Sequence, residues 1–181
     1  MDFDKLDSRD PKVKYGFTKA LLKTGAETPG LLYDHFDQWT RMLNSDNNIF
    51  RWTAIDIIGY LSSVDKEDKT DKLINNLIAF LHCGNLITCN HAIFALGLIA
   101  KNKPERRSEI ILELLGITRD NFKNEECRNI AMGKVIEALK DFPETIRGNK
   151  KITDFLIRAG KSTRNATARK AEQLLKKISA G

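Results

Sequence analysis

The chain has 181 residues, 41% hydrophobic and 30% charged, with 4 Pro and 11 Gly, a profile of one ordered, helix-rich domain that excludes a disordered or fibrous polypeptide. Its longest apolar run, Ala92 to Ala100, is nine residues, against the roughly 20 needed to cross a bilayer, so it reads as a buried helix. The net charge of +6 is unevenly placed: residues 1 to 100 carry 11 Lys+Arg against 13 Asp+Glu, residues 101 to 146 carry 9 against 9, and residues 147 to 181 carry 10 against 2. An electrostatic function is therefore expected at the C-terminal end.

The opening Met1-Asp2-Phe3-Asp4-Lys5 leads into no signal-peptide pattern, and residues 1–11 are expected to be irregular. Three cysteines without a secretory signal point to free thiols and a cytoplasmic location.

Lys12 to Leu22 and Pro29 to Leu43 read as a first helix pair. From Ile49 to Val64, residues Phe50, Ala54, Ile57, Ile58 and Leu61 fall at three-and-four spacing, which makes one helix side apolar, and Asn47 and Asn48 stand ready to cap it. The charged stretch Asp65 to Asp71 is a turn leading into Lys72 to Cys83, which Gly84-Asn85 closes. Leu86 to Lys101 follows, then a helix started by Pro104 and ended by Gly116. Glu125 to Lys140, Pro143 to Ala159 and Arg164 to Ile178 complete about nine helices with no convincing strand.

One block recurs among them: an alanine, an aliphatic four positions on, and another seven or eight on. Its anchors are Ala54, Ala92, Ala131 and Ala171, spaced 38, 39 and 40 residues apart, and a period in that range marks stacked helical hairpins. The small residue lets a paired helix approach closely while the aliphatics fill the same face.

Arg51-x-x-Ala54-x-x-x-Ile58-Gly59-x-Leu61 and Cys89-x-x-Ala92-x-x-x-Leu96-Gly97-x-Ile99 resemble the second helix of HEAT repeats, and the segments at Arg128 to Ala138 and Ala168 to Ile178 are weaker copies. The basic position is Arg in only two of the four copies, and Phe17 replaces the small residue in a fifth, earlier one. The resemblance covers nearly the whole chain from about residue 12. It implies an all-α fold: a right-handed alpha-alpha superhelix, or solenoid, of four to five HEAT-like repeats in a single domain over residues 1–181. Inner helices of such a fold line one extended face that binds partners.

Counted from each anchor, positions two before, two after and six after lie on one helical line away from the aliphatic side. That line holds Trp52, Asp56 and Tyr60; Asn90, Phe94 and Leu98; Asn129, Gly133 and Glu137; and Arg169, Gln173 and Lys177. The first six are the candidate partner-binding residues, because Trp52, Tyr60, Phe94 and Leu98 would form an apolar patch across two repeats. A helix rotated by a few tens of degrees would bury the same side chains. Among the basic residues of the C-terminal end, Lys150, Lys151, Arg164, Arg169, Lys170 and Lys177 are candidate phosphate contacts, and a solvated terminal repeat is the alternative.

His82-Cys83 and Cys89-x-His91 lack a familiar zinc spacing and read as ordinary thiols and turn histidines. No Gly-rich phosphate loop, metal-binding His-Glu pair or Gly-x-Ser-x-Gly turn is present, and His35 has no catalytic pattern around it. Of the enzymes built on HEAT-like scaffolds, the di-iron hydroxylases need repeated His-Glu pairs that are absent here. Trp52, Asp56 and Tyr60 loosely resemble the aromatic and acidic set of the alkylpurine DNA glycosylases, a family of longer chains. The sequence therefore points to a non-catalytic scaffold for a protein or peptide partner, without cofactor, metal or membrane. Nucleic-acid binding through the basic end and, behind it, glycosylase-like activity are the alternatives.

Overall fold

A computed structural model describes residues 2–179. Among them the chain forms eleven α-helices joined by turns and short 3-10 segments, with no β-strand. In order these are α1 (Pro11–Glu27), α2 (Gly30–Tyr33), α3 (Phe36–Leu43), α4 (Asn48–Leu61), α5 (Ile74–Leu81) and α6 (Leu86–Asn102). There follow α7 (Arg107–Gly116), α8 (Glu125–Leu139), α9 (Pro143–Ile146), α10 (Lys150–Gly160) and α11 (Asn165–Ser179). None of the described helices is long and apolar enough to cross a membrane.

Short polar side chains set most of the long helices. Asp10 accepts from the Lys12 amide ahead of α1, with Pro11 at the first helical position. Asn47, Asn85, Asn124 and Asn149 each accept from amides in the first turns of α4, α6, α8 and α10. Each cap satisfies donors that a helix start leaves open and is worth about 1 kcal/mol.

Two segments that read as single helices are each broken in two, which accounts for eleven helices instead of about nine. Between α2 and α3 the chain turns at His35, and the fully buried Trp39 indole donates to the Leu32 carbonyl at 2.9 Å. Between α9 and α10 the break falls at Gly148, whose φ of +74° suits a residue without Cβ. Residues Phe3–Asp7, expected to be irregular, form a 3-10 turn: Leu6 is buried, and Phe3 packs edge-on against Phe17, His35 and Trp39.

The core follows the period. Helix α4 packs on α6, α6 on α8, and α8 on α11, while α3, α5, α7 and α10 flank this row and α1 lies against α4. All four anchor alanines are fully buried. Close approach continues beside them: a Cβ on Gly59 would lie 2.7 Å from the Ala95 Cα, and one on Gly97 would lie 3.1 Å from the Ala138 Cβ. The long-range side-chain hydrogen bonds among the described residues join positions 31 to 40 apart, from His82–Glu113 to Asn102–Ser62 and Lys101–Asp141. Each helix pair is thus tied to its immediate neighbours.

Candidate binding groove

A cleft of about 460 Å³ runs across α4, α6 and α8, with Leu22 of α1 closing one side. Five of the six candidate partner-binding residues line it: Asp56, Tyr60, Asn90, Phe94 and Leu98. The helical line defined by the anchor alanines therefore brings together residues of two repeats, and the next helix adds Lys134, Glu137 and Ala138.

Trp52 lies outside this lining. Its Nε1 donates to the Thr88 hydroxyl at 2.9 Å, and its ring stacks on His91 with centroids 5.5 Å apart and planes 9° from parallel. The indole is therefore a bracket between α4 and α6. Phe94 is the most open aromatic of the groove, 39% exposed, and meets Tyr60 edge to face at 5.3 Å. Tyr60 is half-buried because α1 crosses it: a Cβ on Gly25 would stand 2.8 Å from its ring.

Asp56 accepts from His91 Nδ1 at 2.8 Å, which leaves His91 Nε2 without a hydrogen bond among the described residues. Burial raises the Asp56 carboxyl above its usual range, against the opposing pull of the His91 hydrogen bond and charge. Burial, and then the Asp56 charge, also raises the Tyr60 phenol. The Asn90 side-chain amide oxygen is buried with no hydrogen-bond partner among the described residues. At the α8 end, Glu137 takes Lys170 at 2.5 Å and Lys134 at 3.2 Å. Burial would raise its carboxyl, but these two ammonium groups outweigh that and hold it below the ordinary range. Asp141 pairs with Lys101 at 3.1 Å.

The helical line is not an open surface along its whole length. On α8, Asn129 and Gly133 are buried, because Thr163 and Thr167 pack over them. A Cβ on Gly133 would sit 2.8 Å from the Thr167 hydroxyl. The line faces the next helix of the row, so it opens only where that neighbour leaves room. On α11, Arg169, Gln173 and Lys177 are exposed.

Two of the candidate phosphate contacts are already paired with carboxylates. Arg164 pairs with Glu126, and Lys170 is committed to Glu137. Lys150 and Lys151 stand exposed at the start of α10, and Arg169 and Lys177 are exposed on α11.

The histidines and cysteines near residue 85 go separate ways. His82 faces Asp120 at 2.8 Å and Glu113 at 3.2 Å, whereas His91 joins Asp56 in the groove. Cys89 is fully buried, its thiol pushed up to about 12 chiefly by burial, while Cys83 is exposed.

His91 was not singled out as a groove residue by the sequence pattern, since its role appears only when α6 lies beside α4. A second feature hidden in the sequence is an ionic hub behind the groove helices. Lys103 Nζ, 5% exposed, lies 3.2 Å from Asp65, 2.7 Å from Asp68 and 2.8 Å from Asp71. The three carboxylates are close enough together to hold a cation, and the Lys103 ammonium supplies one. Asp65 also accepts from the Tyr33 hydroxyl at 2.6 Å, the Thr70 hydroxyl at 2.6 Å and the amides of Lys69 and Thr70. Burial alone would raise its carboxyl, yet these donors together hold it far below the usual range. Burial, and then Asp65, pushes the Tyr33 phenol up to about 12.

No model of a known protein family matches the chain, and no curated protein sequence matches it.

Proposed function

We propose that this protein is a non-catalytic binding scaffold: a right-handed solenoid of HEAT-like repeats whose α4–α6–α8 groove receives a segment of a protein partner. The observation that carries the reading is the apolar-floored cleft itself, in which Phe94 is exposed and Tyr60 and Leu98 are half-buried beside the unpartnered Asn90 side-chain oxygen. Such a site offers an anchor pocket for an apolar side chain, the arrangement in which a few residues dominate affinity. The one-period ladder of cross-helix hydrogen bonds supports the solenoid, since repeats in such folds touch only their neighbours.

Charge separates this reading from nucleic-acid binding in the same cleft. Asp56, Glu137 and Asp141 outnumber Lys134 along the lining, and a polyphosphate gains nothing from carboxylates. The Asp56–His91 pair carries the resemblance to the alkylpurine glycosylases no further, because Trp52 is turned into the α4–α6 contact.

The test is capture from the native host with the wild-type chain and with Phe94→Asp. The partner should be retained by the first and lost by the second, with unchanged helicity and melting temperature. Equal retention by both removes the groove from the account.

A further inference from the structure

The helices that flank the row carry a second groove of different chemistry. Helices α7 and α10 flank two adjoining hollows, of about 540 and 330 Å³, that share Leu112, Leu115 and Lys151. Their apolar lining is Leu112, which is 47% exposed, with Leu115, Phe155 and the buried Ile111. Arg119, Lys151 and Arg158 stand around the first hollow, and Lys150 beside the second.

Some cations of the row, Lys101, Lys103, Arg106, Lys134, Arg164 and Lys170, have carboxylate partners. Arg119, Lys150, Lys151 and Arg158 make no ion pair among the described residues. Of the two carboxylates in the lining, Glu113 is turned to His82 at 3.2 Å, and Asp154 pairs with none of the four. The groove therefore combines exposed aliphatic surface with positive charge that no intramolecular partner neutralises, a pairing that an acidic, aliphatic segment complements on both counts.

We propose that the α7–α10 groove docks an acidic peptide segment of a partner protein, with its aliphatic side chains on Leu112 and Leu115 and its carboxylates on Lys151, Arg158, Arg119 and Lys150. The lining argues against single-stranded nucleic acid, because its one aromatic, Phe155, is 5% exposed and offers no face on which a base can stack. Glu113 and Asp154 also interrupt the positive rim, which a peptide with spaced carboxylates tolerates and a continuous polyphosphate does not. This site is independent of the inner groove, and the two together would let one molecule bridge two partners.

The probe is a fluorescein-labelled acidic peptide with leucines at three-and-four spacing, titrated by fluorescence anisotropy at low and at moderate salt. Saturable binding that weakens with salt is expected, with about a tenfold loss in the double variant Lys151→Glu/Arg158→Glu and a several-fold loss in Leu112→Ser. Phe94→Asp should leave it unchanged, so failure here is distinct from failure of the inner groove. The same peptide with serines for leucines should bind several-fold more weakly. The proposal is overturned if the peptide does not saturate at low salt or if the serine peptide binds equally well. It is also overturned if labelled single-stranded DNA binds more tightly than the peptide and loses affinity in the same double variant.

Discussion

Replacing Lys103 by methionine removes the cation that three carboxylates share while keeping the length of its aliphatic stem. Their exposures rank the consequence: Asp65 is 0% exposed, Asp71 14% and Asp68 74%. Asp68 can turn to water, and Asp71 keeps Arg106 at 2.8 Å, so the stranded charge is chiefly Asp65. Removing one partner of a buried pair costs about 3–5 kcal/mol. The four hydrogen bonds that Asp65 retains place the expected loss at the lower end, about 3 kcal/mol. For a chain of this size that corresponds to a melting temperature about 6–12 °C lower.

The loss should depend on pH in a definite direction. Asp65 and Asp71 titrate below the ordinary carboxylate value in the folded protein, so their contribution is present above about pH 4 and is lost as the pH falls through the folded values. Lys103 is shifted up: burial opposes its charge, but the three carboxylates prevail. Its contribution therefore holds below about pH 10 and is lost above it. In Lys103→Met the deficit should be full at pH 7 and shrink on acidification, because Asp71, which burial would raise and which Lys103 and then Arg106 hold down, protonates more readily once Lys103 is gone. Thermal melts by circular dichroism at pH 7 and near pH 3 measure it. A deficit under about 1 kcal/mol at pH 7, or one unchanged by acid, refutes the reasoning.

Other outcomes follow from the same contacts. Gly59→Ala should destabilise by about 1–3 kcal/mol, because its Cβ would enter the Ala95 backbone and overpacking forces helices apart. A urea midpoint at or above wild type contradicts the close α4–α6 approach. Trp52→Phe should lose about 1 kcal/mol with its bond to Thr88 while leaving partner capture intact. Loss of capture at unchanged stability would instead place Trp52 in the interface.

Much of the architecture was legible because packing imposes a local rule. An alanine buried against a neighbouring helix must recur once per hairpin, and Ala54, Ala92, Ala131 and Ala171 do so. The asparagine caps were readable at Asn47 for the same local reason. The helix breaks at His35 and Gly148 were not, since Trp39 and Phe3 act on the first from elsewhere in the chain.

For the groove, helical phase assigned Asp56, Tyr60, Asn90, Phe94 and Leu98 to one line. Phase alone does not say how far the next helix covers that line. Hence Asn129 and Gly133 on α8 are buried, and Trp52 is spent on Thr88 and His91. The Asp65–Asp71 stretch read only as a charged turn, because Lys103, which neutralises it, lies a full repeat further on.

The most direct test of the binding account is site-specific photo-crosslinking in the native host. A photoreactive phenylalanine analogue at position 94, in the groove, is compared with one at position 31, where Leu31 is 67% exposed and outside the groove lining. The account predicts one discrete partner adduct from position 94 and none from position 31. The same adducts from both positions, or none from position 94 under conditions where the partner co-purifies, would contradict it.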